Sequence, residues 1–345
     1  MNQIDLKEMN LEGLEEFIAS LGEKPFRARQ IRKWLFNAGV NDFEAMTDLS
    51  KTLRARIGER ARISGITCLK VEESQDGARK YLWELEDKAR IESVLIPERD
   101  HLTLCISTQV GCAMGCRFCR TATLGLTRNL TQAEIINQIL GIKNGLSDKN
   151  KLKNIVFMGM GEPLANPENV IRAIKIMLEP GLMQLSHRRM SLSTVGLIPE
   201  LKRLADQVTV GLTVSLNAAD NKIRDYLMPI NRRFPLEDLH KALTVFPLPS
   251  RRMITIAYVL LADVNDSERH AKQLTRFLSG LRCKVNLVPF NPYPGAQFEA
   301  PNEEKVLAFR DALIKKHYTA IIRRSKGREI SAACGQLVGS ENTKK

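Results

Sequence analysis

Gly111-Cys112-Ala113-Met114-Gly115-Cys116-Arg117-Phe118-Cys119-Arg120 sets three cysteines at a C-x3-C-x2-C spacing on a short loop with two glycines. Thiolates this close can grip one metal centre, yet no fourth cysteine or histidine follows nearby. A structural zinc closes its tetrahedron with four protein ligands, so three leave it incomplete unless a distant residue joins. A four-iron cube is normally held by four cysteines, so three leave one iron open to a substrate or cofactor.

Outward from this loop, strands and helices alternate. Strand candidates are Leu102–Ser107, Asn154–Met158, Arg189–Ser193, Val208–Ser215, Met253–Leu260 and Lys284–Phe290. Most of the stretches between them are long enough for helices. One opens with the capping-box sequence Thr131-Gln132-Ala133-Glu134, and another runs through Val170–Met177. Six βα repeats predict an α/β fold, a parallel sheet curled into a partial (β/α)6 barrel with chemistry where the strands end. The cysteine loop follows the first strand, and Gly159-Met160-Gly161-Glu162-Pro163 follows the second. Glycines there let the backbone approach a ligand, and the carboxylate can hold an ammonium group. The two motifs together resemble the radical S-adenosylmethionine (SAM) superfamily, and Phe118 fits the aromatic slot before its last cysteine. The resemblance implies a [4Fe-4S] cluster whose open iron chelates SAM.

Before the barrel, residues 1 to about 60 read as helical. Leu11, Leu14, Ile18 and Leu21 recur at helical spacing, and Gly22 is a stop. In the next segment Phe26, Ile31, Trp34 and Leu35 form an apolar stripe beside Arg27, Arg29, Arg32 and Lys33, and Lys51, Arg54 and Arg56 follow. Basic residues interleaved with apolar ones suggest a module that touches an RNA backbone; a solvated face is the alternative. Tyr81–Leu85 and Arg90–Ile96, closed by Pro97, alternate with period two and predict a β-hairpin. The expected organisation is a helical domain at 1–75, a hairpin linker at 76–100, the barrel at 101–325 and a C-terminal loop and tail at 326–345.

Fifty-two lysines and arginines against 39 acids give a net charge of +13, which favours a polyanionic partner. The 43% apolar fraction is ordinary for a globular protein, and no long apolar run predicts a membrane span. The first residues lack the basic-then-apolar order of a signal peptide, so the expected location is the cytoplasm. Seven cysteines in a reducing compartment point to metal binding or catalysis rather than a disulfide framework.

Ser331-Ala332-Ala333-Cys334-Gly335-Gln336-Leu337 sets a cysteine among small residues on what reads as an accessible loop. With it the whole chain resembles the RlmN/Cfr radical-SAM methyltransferases, which act on an adenosine of 23S ribosomal RNA. The shared stretches include GEKPFRARQIRKW, GCAMGCRFC, MGMGEPLANPENV, SLSTVG, VSLNAADNKIRDYLMPIN, NLVPFNPYPG and AACGQL. The chain looks more like the RlmN branch, which modifies C2, than the Cfr branch, which modifies C8. The resemblance implies that Cys112, Cys116 and Cys119 ligate the cluster and that Gly161, Glu162, Ser193, Ser215, Leu216, Asn217 and Asn291 contact SAM. Asn217 replaces the histidine usual in that segment. Cys334 matches the S-methylated cysteine, Cys105 its partner thiol, and Glu92 the proposed proton acceptor. Cys68 and Cys283 match no role and read as small apolar residues.

The chemistry implied begins with the adenine C2 carbon, which is too electron-poor to attack a SAM methyl. One SAM methylates Cys334, and a second is cleaved reductively to a radical that turns the S-methyl into a methylene adding to C2. Glu92 or Cys105 takes the C2 proton, and Cys105 releases the adduct, leaving a disulfide for reduction. The implied partners are 23S ribosomal RNA, transfer RNA for some members, and an electron donor such as flavodoxin or ferredoxin, with a monomer as the default. C8 methylation and a non-catalytic zinc-containing RNA-binding protein are the competing readings.

Overall fold

The computed structural model describes residues 3–339. The sequence also suggests a frayed tail at Asn342-Thr343-Lys344-Lys345, which lies outside the described residues.

One open ten-stranded sheet runs through the molecule, its strands side by side in chain order. They are β1 Thr67–Glu73, β2 Arg79–Glu84, β3 Arg90–Pro97, β4 Leu102–Ile106 and β5 Leu152–Phe157. Beyond these lie β6 Met190–Thr194, β7 Gly211–Ser215, β8 Ile254–Leu260, β9 Cys283–Pro289 and β10 Ala320–Ile322. β1 to β4 pair antiparallel and β4 to β10 parallel. The parallel part follows from the apolar runs. In β8 the side chains of Ile254, Ile256, Tyr258 and Leu260 are buried, with half-buried Thr255, Ala257 and Val259 on the other face. Helices Gln132–Asn144, Pro167–Leu178, Ile198–Gln207, Leu236–Thr244, Glu268–Phe277 and Glu303–Ile314 return the chain between successive parallel strands. Thr131 forms the expected capping box with Glu134.

Three sequence expectations shift. The strand expected from Val208 begins at Gly211, because the Val208 amide still bonds to the carbonyl of Leu204 in the preceding helix. The six βα repeats stand, and a seventh parallel strand follows them in β10, whose three residues are too short to show a period. The expected hairpin linker is β2 and β3, but it continues the barrel sheet, with β1 added at its edge; β1 is polar and mostly exposed, so it carries no buried alternation. Cys68 sits exposed on that edge strand, whereas Cys283 is core.

The N-terminal helices are Leu11–Ser20, Phe26–Lys33 and Lys51–Arg60, the first ended by Gly22 at φ +70°. Ile31 and Leu35 are fully buried, but Phe26 is exposed beneath the Arg27 guanidinium. The basic face is smaller than the sequence suggests. Arg32 is buried and pairs with Glu179 at 2.5 Å, fastening the module to the barrel. Arg54 is buried against Glu44, and Arg56 donates to the Leu21 carbonyl. Arg29 and Lys33 remain exposed.

Lys7 holds the same junction. Its fully buried ammonium donates to Asn41 Oδ1 at 2.9 Å, the Ser64 carbonyl at 2.9 Å and Asn137 Oδ1 at 2.7 Å, the last on helix Gln132–Asn144. Burial pushes its pKa down to about 8, against the pull of Asp5. Lys7→Met keeps the aliphatic stem but strands three buried acceptors. It should cost about 3 kcal/mol, read as an earlier midpoint in denaturant unfolding with the cluster intact.

Candidate active site

Each loop at the C-terminal end of the sheet is fixed by its own bonds before any ligand enters. After β4, Ser107 donates to the Glu92 carbonyl at 2.6 Å and accepts from the Met160 amide at 2.8 Å, tying β3, β4 and the loop after β5 together. The chain then forms a short antiparallel pair, Gln109–Gly111 with Leu126–Asn129, from which the cysteine loop projects. Gly111 stands at φ +78°, and a Cβ there would lie 2.0 Å from the Gly125 carbonyl oxygen, which accepts from the Cys112 amide. Only glycine fits that approach.

Cys112 and Cys116 are buried and Cys119 half-buried. Burial pushes all three thiols up, Cys112 to about 11, and the neighbouring thiols raise Cys116 further. Such thiols deprotonate when a cationic centre arrives, so the donor chemistry fits a metal cluster. Among the described residues no three such side chains converge on one ion position. A cube takes each of its cysteines on a different iron, so its thiols need not meet at one point. Arg224, itself buried, is within electrostatic reach of Cys116; it donates to the Leu216 and Val195 carbonyls and to Asn231, joining the loops after β6 and β7.

The carboxylate of Glu162 is buried, with Oε1 accepting from the Leu164 amide at 3.0 Å and Oε2 from the Val195 amide at 2.9 Å. Burial raises it to about 7 against those bonds. Its bonding partners are neutral, so the position fits an incoming ammonium such as that of SAM. The cradle beside it depends on missing side chains. A Cβ on Gly159 would meet Ile106 backbone at 2.7 Å, and one on Gly161, at φ +98°, would meet Gln109 at 2.5 Å.

Across β6 and β7, the hydroxyls of Ser193 and Ser215 lie 3.3 Å apart on the half-buried face. Leu216 is fully buried. Asn217 adopts φ +59°, a left-handed conformation that asparagine tolerates well. Its side chain accepts from the Val259 amide at 2.8 Å and donates to Met228 Sδ, so the amide is committed to the protein. Asn291, after β9, donates to Ser325 Oγ at 2.9 Å and to the Cys334 carbonyl at 3.4 Å.

The segment carrying Cys334 returns across the same end of the sheet. The Arg120 amide donates to the Gly335 carbonyl at 2.7 Å, and Thr121 Oγ1 to the Leu337 carbonyl at 2.6 Å. On its far side the Val338 amide donates to Glu92 Oε2 at 2.8 Å. Further back, the Gly327 amide donates to Asp76, and Lys326 donates to the Pro97 carbonyl at 2.5 Å. The β1–β3 extension is thus the platform on which the Cys334 segment lies. Cys334 is open to solvent but walled by protein, so burial raises its thiol while Arg323 and Ser325 pull it down. Cys105, on β4, is buried, and its thiol is raised by that burial and by the nearby Cys334. All seven cysteines are free, so the transient disulfide implied by the sequence is not formed here.

Glu92 is buried on β3, its Oε1 3.3 Å from the buried Lys80 ammonium, which also meets Glu72 at 3.2 Å. Lys80 pairs with Val94 and Val94 with Cys105 across the strands, so these residues share one face with Glu92. Sequence reading missed Lys80, Thr121, Arg224 and Ser325. Two of them, Thr121 and Arg224, adjoin motifs already visible, but only their distant partners reveal what they do. Thr121→Val should leave cluster content unchanged and raise the rate of Cys334 alkylation severalfold, measured by mass spectrometry of iodoacetamide-treated holoprotein.

Comparison with known proteins agrees with this geometry. Residues 4–63 match the ribosomal RNA large subunit methyltransferase N-terminal domain, and residues 106–274 the radical SAM superfamily. The dual-specificity RNA methyltransferase RlmN of Geobacter sulfurreducens is 52% identical over 336 residues, 97% of this chain and 92% of that one. Its namesake from Geotalea uraniireducens is 51% identical over 98% of both chains. A crystal structure of a radical SAM methyltransferase from Sphaerobacter thermophilus superposes with a TM-score of 0.92 at 41% identity, covering 97% of this chain and 99% of that one. A radical-SAM fold carrying the N-terminal module, the cysteine loop and half-identical relatives along nearly its full length makes this chain a member of the RlmN family of radical-SAM RNA methyltransferases, with a [4Fe-4S] cluster and SAM as cofactors.

Proposed function

We propose that this chain methylates C2 of an adenosine in 23S ribosomal RNA, and of one in transfer RNA, through S-methylated Cys334. The observation that carries the reading is the convergence of Cys105 and Cys334 beside the cysteine loop, with the peptide after Cys119 bonded to the peptide after Cys334. A zinc-dependent binding protein has no use for that pair. The dual-specificity relatives support two RNA substrates, and their RlmN name supports the C2 branch over C8.

In this reading Cys112, Cys116 and Cys119 hold the cluster, and Glu162 receives the SAM ammonium beside Gly161. Ser193, Ser215 and Asn291 offer polar groups to the rest of SAM, Leu216 an apolar wall, and Asn217 shapes the turn. When bound, the cluster and SAM supply the methyl group and the reductive radical chemistry, with the electron coming from a donor such as flavodoxin or ferredoxin. The protein's own part begins once Cys334 carries the one-carbon unit. Its partly open thiol is the nucleophile that takes the methyl, and its carbon bonds to C2 of a base flipped into the mouth. Glu92 or Cys105 then takes the C2 proton, and the one electron that radical addition leaves in excess would return to the bound cluster, leaving a closed-shell thioether. The Cys105 sulfur bonds to the Cys334 sulfur, the Cys334 S–C bond breaks, and its electron pair stays on carbon, which gains a proton to become methyl. The disulfide left behind takes two electrons from a reductant before the next turnover.

The two thiol variants should fail differently. Cys334→Ala should give neither product nor covalent RNA. Cys105→Ala should stall as a nuclease-sensitive protein–RNA adduct on a denaturing gel, resistant to reductant because the link is a thioether. Equal loss of folded protein in both would overturn the assignment.

Glu92→Gln separates the two proton acceptors. Glutamine can still accept from Val338 but cannot take a proton. If Glu92 is the base, the same adduct should accumulate with both thiols intact; product at the wild-type rate would assign the proton to Cys105.

A further inference from the structure

The net positive charge of this chain is concentrated at one pole. Because β4 to β10 are parallel, all seven begin at the end of the sheet opposite the cysteine loop. The four residues before each of these strands and its first two hold eleven lysines and arginines but only three acids. That is a net +8 of the chain's +13, while 41 lysines and arginines nearly balance 36 acids elsewhere.

These cations are not consumed by the fold. Lys151, Arg188 and Arg251 are exposed. The guanidinium groups of Arg189, Arg252 and Arg282 bond to neutral groups, respectively Asn154 Oδ1 and the carbonyls of His187 and of Leu248 and Pro249. Asp100, one of the three acids, is held down by its bond to His101 and by the charge of Arg189. Like charges crowded on one surface repel one another, and a solvated face gains nothing from this crowding.

The N-terminal module extends the same surface. The helices between strands run back toward this pole, and helix Phe26–Lys33 of the module, with the residues that follow it, fastens to their ends, while Lys7 and Glu8 bond nearer the helix starts. Arg32 meets Glu179, Asn37 Nδ2 donates to the Gly181 carbonyl, and Asn144 bonds both the Gly39 carbonyl and Lys149. The exposed Arg29 and Lys33 therefore sit beside the strand-entry pole rather than over the catalytic mouth.

We propose that this pole, with the exposed cations of the N-terminal module, is a binding surface for the sugar–phosphate backbone of substrate RNA outside the target loop. The proposal rests on the RNA-methyltransferase reading and adds where most of the substrate is held. Strands of five to seven residues are roughly 15–25 Å long. RNA that places a base in the mouth must therefore pass along the side of the barrel to reach this pole, which a bare loop cannot do and a loop with flanking helices can. Phosphate contacts position RNA without reading its sequence, so one such surface serves differently folded RNAs.

The test is K151A/R188A/R251A, three exposed cations far from the catalytic mouth, against a control K202A/K272A, two exposed lysines midway along helices. Binding is measured across a salt series to an rRNA fragment with flanking helices and to its isolated loop. For the fragment, the triple variant should bind at least tenfold more weakly at low salt, with a log–log salt slope smaller by about two to three. Affinity for the isolated loop and SAM cleavage without RNA should be unchanged, and the control should match wild type. Unchanged affinity and slope for the fragment would make the pole a solvated face and overturn the proposal. Equal weakening for the fragment and the loop would overturn it too, by moving these charges to the target site. Wild-type protein that binds neither RNA at any salt would instead overturn the RNA reading itself.

Discussion

The hydrogen bond from the Arg120 amide to the Gly335 carbonyl joins the residue after the last cluster cysteine to the residue after Cys334. Both loops belong to the mouth but lie more than two hundred residues apart in the chain; Arg120 opens a single helical turn, and the Cys334 segment has no regular element of its own. The close approach of Gly111 to Gly125 sets one partner, and the β1–β3 platform sets the other through Glu92 and Asp76. The barrel is the scaffold that brings these two supports to the same end. A shift of an ångström here would move Cys334 relative to the cysteine loop.

Seen this way, the antiparallel strands have a use that their sequence did not suggest. Buried strands with apolar runs are legible one at a time, and the six long parallel strands were found nearly in place. β1 was hidden because an edge strand shows water most of its side chains, and β10 because three residues carry no period. The three-cysteine loop and the Glu162 turn were legible because each is a compact stretch, Cys112 to Cys119 and Gly159 to Pro163.

What stayed hidden depends on partners far away in sequence. Arg32 looked like part of an RNA-facing stripe, and only Glu179, 147 positions later, makes it a buried bolt. Lys80 is an ordinary strand lysine until the fold brings Glu92 beneath it. Asn217 stands where the resemblance puts a histidine among the SAM contacts. Its left-handed backbone and the two bonds its amide makes within the protein suit an asparagine at that turn. Charge total was visible from composition, but its location was not, because the strand entries are scattered through the sequence and gathered only by parallel topology.

The long reach of the Cys334 segment also bears on how the enzyme comes into being. Glu92 and Val338 are 246 positions apart, and Asp76 and Gly327 are 251 apart. Domains form as the chain emerges, N-terminal parts first, and contacts of wide separation close late because they must overcome loop entropy. The cysteine loop and most parallel strands are thus available before the residues that complete the mouth have been synthesised. The half-built protein can carry the cysteine loop while it still lacks Cys334, so the C-terminal strap is a last fitting, added when the rest of the barrel is already in place.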